Sequence, residues 1–147
     1  MPIDSENPVV ALCAAGMAAE GTPAEARRLF EQAWAARRDD YDACIAAHFL
    51  ARNQGSADST LHWNALAVRH AEAVTDGRAA ELFASLYLNL GDAHAALGQS
   101  EPAAAAVHLA SAHLAALPAG GYREFVALGV DRLAQRLGLA SALGTGD

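Results

Sequence analysis

Lysine is missing from this chain; all ten basic residues are arginine. Against seventeen acidic residues they leave a formal net charge of −7 and a pI of about 5.2. An acidic surface repels phosphate backbones, and no basic cluster exceeds the pairs Arg27-Arg28 and Arg37-Arg38. Nucleic acid is therefore not expected as a partner. The exclusive use of arginine reads as the mark of a GC-rich bacterial genome. Aromatic residues are scarce, at 6%, and β-branched residues are few, which argues against a sheet protein. No apolar run approaches the roughly 18 residues needed to span a bilayer. The N-terminal MPIDSENP is acidic and polar, unlike a secretory leader, so a soluble cytoplasmic protein is expected. Only two cysteines occur, Cys13 and Cys44, with no CxxC. Both fall on apolar helical faces and read as reduced core residues.

The usual signatures of chemistry are also missing. There is no GxSxG, no GxGxxG, no GxxxxGK[ST] and no HExxH. Neither cysteine stands beside a basic residue that would activate it. Of the six histidines, His108 and His113 are five apart and so diverge by about 140° around a helix. His62 and His70 lie two turns apart, too far for one ion. His48, His70 and His94 read as packed or hydrogen-bonded residues. Asp39, Asp40 and Asp42 read as helix N-cap and first-turn charges, favoured by the helix dipole. No catalytic, cofactor-binding or metal-binding residue is assigned, and the chain is expected not to be an enzyme.

What is present is alanine in quantity, within a chain that is 53% hydrophobic and, at 147 residues, long enough for one domain with a sizeable core. Caps, breakers and the 3.6-residue period predict seven helices. The first covers about 8–20, with Val10, Cys13, Ala14 and Met17 as its stripe. Thr22, Pro23 and Glu25 predict a capping box for the second, which runs to about Arg37 with Ala26, Leu29, Phe30, Ala33 and Trp34 inward. The third opens at Asp39 or Asp40 and ends near Asn53. The fourth follows the NQGSADS loop and carries Trp63, Leu66, Ala67, His70 and Val74. The fifth covers about 79–97, and Ser100 caps the sixth, which stops at Pro118. The seventh, about 122–137, presents Phe125, Val126, Gly129, Val130, Leu133 and Leu137. Residues 1–7 are expected to be a tail, 8–138 a single helical domain and 139–147 a flexible tail.

The segment LYLNLGDAHAALG (86–98) carries the clearest pattern. Tyr87, Leu90, Gly91, His94 and Gly98, followed by Ala103, Val107 and Ala110, have the spacing of a tetratricopeptide repeat. Val10, Cys13, Ala14, Met17, Gly21, Ala26, Phe30 and Ala33 have it again 77 residues earlier. Two repeats of about 34 residues would separate them by about 68, so the middle repeat carries about nine extra residues. Over roughly residues 7–117 the chain thus resembles the tetratricopeptide-repeat family. The match is good in the first and third repeats and degenerate in the second.

The resemblance implies an all-α, right-handed superhelix of three helical hairpins with the seventh helix as a C-terminal cap. It also implies a scaffold or adaptor that binds a peptide or protein segment in a concave groove. The groove residues it implies are Asp42, Phe49, Asn53, Ser85, Leu88, Asn89 and Asp92, with the two carboxylates favouring a basic ligand. The same residues could instead be ordinary surface, or the last helix could fill the groove. Without lysine, the clamp with which some family members grip a C-terminal carboxylate is not expected. A small-molecule sensor with a pocket near Trp63, Tyr87 and His94, and a homodimer or larger homo-oligomer, are the alternatives.

Overall fold

The structure is a computed structural model in which residues 6–139 are described. Seven α-helices and no strand occur among them: α1 Pro8–Ala18, α2 Pro23–Ala35, α3 Asp40–Leu50, α4 Ala57–Ala73, α5 Phe83–Ala96, α6 Ser100–His113 and α7 Gly121–Arg136. Short 3₁₀ turns, Ala51–Asn53 and Leu114–Ala116, continue α3 and α6. The all-helical class and the number of helices agree with the sequence reading. Contacts gather the chain into two compact units, Met1–Arg78 and Ala79–Asp147.

In the first unit α1 packs on α2, α3 on α4, and α3 also on α1 and α2. Its core is built from small and medium side chains, among them Val9, Cys13, Ala26, Phe30, Cys44 and Ala67. The stripe of α1 is rotated from the expected one. Val9, Cys13 and Gly16 are buried, whereas Val10 is half-buried, Ala14 is exposed and Met17 is 44% exposed. Phe30 sets this rotation. It is fully buried and stacks on Phe49 with 5.5 Å between ring centres, and only glycine leaves room for its ring against α1. A Cβ on Gly16 would overlap that ring. Gly16→Ala should therefore destabilise the protein by about 1–3 kcal/mol, although alanine is the better helix former by about 1 kcal/mol. A thermal melt of the variant checks the sign; a raised Tm would show that Phe30 can move aside.

Capping follows the sequence in part. Asp39 caps α3 by accepting from the Asp42 N–H, and Ser56 caps α4 by accepting from the Ser59 N–H. The capping box expected at α2 does not form. Thr22 makes no side-chain cap bond, and Glu25 is held instead by Arg28, one turn on. Nor does Ser100 cap α6; Gln99 holds the cap position and Ser100 is already helical.

In the second unit α5 and α6 form a close pair and α7 packs on both. Helix α5 starts at Phe83, later than expected, because residues 79–82 form a turn that buries Ala79 and Leu82. Gly98 has φ of +72°, which reverses the chain after α5, and the Gln99 N–H returns to the His94 carbonyl. Gly91 sits where the three helices meet: a Cβ there would lie 2.8 Å from Leu133 Cδ2 and 3.3 Å from Ala106 Cβ.

The expected tails lie mostly outside the described residues. The parts that are described are structural. Asn7 is buried and caps α1, and the Leu139 N–H closes α7 by donating to the Ala134 carbonyl.

Candidate functional site

The seven residues expected to line one groove are divided between the units, three in the first and four in the second. Asp42 cannot meet a ligand, because its side chain is fully buried. Its carboxylate accepts from Asn7 Nδ2 at 2.8 Å, the Arg38 backbone N–H at 3.0 Å and Arg38 Nε at 2.9 Å. Burial alone would raise its pKa, but the bonds from Arg38 and Asn7 outweigh burial and hold it below the ordinary carboxylate value. Phe49 is half-buried, stacked on Phe30 and met edge-on by His48 at 5.0 Å. Asn53 lies with Arg52 against Glu20 at the surface.

In the second unit the face of α5 that was expected to be open is turned toward α7. A Cβ on Gly129 would lie 2.8 Å from Leu88 Cδ2, and Arg136 pairs with Asp92 at 3.1 Å. Burial pushes the Asp92 carboxyl up, against the opposing pull of Arg136. Ser85 donates to the Leu82 carbonyl, and Asn89 is half-buried with a partner of its own. The last helix therefore occupies this face. Of the two carboxylates that motivated a basic ligand, Asp42 is buried and Asp92 is paired with Arg136 at the surface.

The residues read as packed or hydrogen-bonded behave so. His94 Nδ1 lies 2.7 Å from Gln99 Oε1, and Phe83, Tyr87 and His113 stack together. Burial and the nearby Arg52 lower the His48 imidazole to about 4, which keeps it neutral at pH 7. Cys13 and Cys44 are buried free thiols, raised by burial to about 12 and so protonated and unreactive. Among the described residues, no group of three His, Cys, Asp or Glu could hold a metal ion. No helix there is long and apolar enough to cross a membrane.

The arrangement best suited to recognition lies elsewhere in the first unit. Trp34 comes from the last turn of α2; Trp63 and His70, two turns apart, come from one face of α4. Trp34 meets both of them edge-on, with centroid distances of 5.1 Å to Trp63 and 6.0 Å to His70. His62 meets Trp63 in turn at 5.4 Å. Arg37 lies 4.0 Å above the Trp34 ring and donates through Nη1 to the Trp34 carbonyl at 2.7 Å. Both tryptophans remain half-buried, so each presents ring surface to solvent.

Beside this cluster opens a cleft of about 470 Å³ lined by Ala35, Arg37, Arg38, Asp39, Asp40, Ala43 and His70. Most of its polar side chains have partners within the fold. His70 bonds Asp40 at 2.8 Å, Arg38 bonds Asp42, and Asp39 pairs with Arg78 at 3.2 Å. Arg37 differs: its guanidinium is held by a ring and a carbonyl and, among the described residues, by no carboxylate. Such a cation keeps its full charge for an incoming anion.

Trp34, Trp63 and His70 were expected in core stripes, with Trp63 also near a pocket in the small-molecule alternative, and Arg37 had no role beyond a basic pair. A signal was present: arginine three residues after tryptophan on a helix can fold back over the indole. No protein-family model, no curated protein and no solved structure matches the chain.

Proposed function

We propose that this chain is a non-catalytic interaction scaffold, of the helical-hairpin kind that its spacing resembles, and that it binds a peptide or protein segment. The observation that carries the reading is the Trp34–Trp63 pair with Arg37 laid over the Trp34 ring, Arg37 itself lining an open cleft. Tryptophan and arginine are enriched among strong anchor points at protein interfaces: tryptophan buries large area with few rotatable bonds, and arginine brings a rigid planar cationic head. Packing among Trp63, His70 and the Arg37 contacts holds Trp34 in place before any partner arrives, so little side-chain entropy is lost on binding. The fitting partner carries an apolar or aromatic side chain for the indoles and a carboxylate for Arg37. This replaces the basic ligand expected from Asp42 and Asp92.

Both tryptophans of the chain belong to this cluster, so intrinsic fluorescence reports on it without a label. A binding segment selected from a peptide library should shift the emission. Trp63→Ala should weaken its affinity by about 10- to 100-fold, in the range of an interface anchor. Arg37→Glu should weaken segments that contain a carboxylate and spare those that lack one. Equal affinity of both variants and the parent would move the binding surface away from the cleft.

A further inference from the structure

Helix α7 turns Val126, Val130, Leu133 and Ala134 inward, and this leaves an apolar stripe on its other side. Phe125 is 74% exposed, Tyr122 54% and Leu128 47%. Phe125 had been expected in the core; it lies about 100° around the helix from Val126, outside the inward face. Two charges share the outer face with Leu128. Glu124 precedes it by one turn and Arg132 follows it by one turn, both exposed. Neither side chain has an ion-pair or hydrogen-bond partner among the described residues.

We infer that this face is the contact between two copies of the chain, with their α7 helices packed antiparallel about a two-fold axis at Leu128. The pattern is self-complementary. Residues four before and four after the axis stand about 6 Å from it along the helix. An antiparallel neighbour therefore brings Glu124 of one copy level with Arg132 of the partner subunit, and the symmetry repeats the pair. Leu128 then meets its own counterpart, and Phe125 fills the space beside it. A parallel pairing would set Glu124 against Glu124 and Arg132 against Arg132, which like charges oppose.

Net charge points to the same helix. The chain carries −7, so two copies repel over most of their surface. Of the seven α-helices only α7 has more arginines than acids: Arg123, Arg132 and Arg136 against Glu124 and Asp131. One helix pair is a small interface, so the dimer should be weak and concentration-dependent. The inference concerns a different unit from the aromatic cleft and does not depend on it.

Sedimentation equilibrium over a wide concentration range tests it. The parent chain should pass from monomer to dimer mass as concentration rises, and Leu128→Arg should stay monomeric with its helical circular dichroism intact. Glu124→Arg and Arg132→Glu should each raise the dissociation constant by about tenfold, since each turns two attractions into two repulsions. Mixing those two variants should restore dimers, because every facing pair is then opposite in charge. The double variant Glu124→Arg/Arg132→Glu should dimerise like the parent. Monomer mass at every concentration overturns the inference. So does a Leu128→Arg chain that dimerises like the parent, or a mixture of the charge variants no tighter than either alone.

Discussion

Asp42→Ala should destabilise the protein by about 2–4 kcal/mol, measured by urea or thermal unfolding with unchanged cooperativity. The loss comes from the groups left behind. Asn7 is buried and its Nδ2 donates to Asp42, while its Oδ1 accepts from the Val9 N–H at the start of α1. The Arg38 backbone N–H, just before α3, also ends on this carboxylate. Removing the acceptor leaves two donors without partners, each costing about 1–3 kcal/mol where water cannot reach. The Arg38 guanidinium is 59% exposed and rehydrates, so the ion pair itself contributes little.

Acid should act on the same group. Because the folded-state pKa lies below the ordinary 3.8, the stabilisation is complete above that value. It is lost as pH falls through the lower, folded value. Asp42→Asn should flatten this acid limb of the stability profile. An acid limb as steep as the parent's would show that other carboxylates govern acid unfolding.

Gly91→Leu should cost at least about 1–3 kcal/mol and loosen the second unit in particular. The new side chain would have to displace Leu133 of α7 and Ala106 of α6, and the Ala103 carbonyl lies only 3.5 Å from where its Cβ would stand. Leu133 is itself buried and has nowhere to retreat. Hydrogen exchange would localise the damage: protection should fall across α5, α6 and α7 more than across α1 to α4. An unchanged melting temperature would remove Gly91 from the helix junction. Gly129 offers a contrast, since a Cβ there meets only the flexible end of Leu88. Gly129→Ala should change stability little.

The sequence by itself determined the helical class, the number of helices and most of their ends, because these rest on local physics. Proline at the first helical position, aspartate at the α3 cap and glycine after α5 act within a few residues. The importance of Gly91 was also legible, since a Leu-Gly pair within a helical stripe marks close approach wherever its partner lies. The orientation of each helix about its own axis was not determined locally. Alanine is the reason: in an alanine-rich helix several stripes are nearly equal in apolar content, and tertiary contacts choose among them. Phe30 turned Gly16 inward on α1, and the α5–α6 pair selected Val126 over Phe125 on α7. Site residues depend on that same rotation. Asp42 therefore became a buried acceptor, Asp92 a partner for Arg136, and Arg37, laid over Trp34, part of the wall of a cleft. Local sequence carries the period of a helix, but its phase belongs to whatever packs against it.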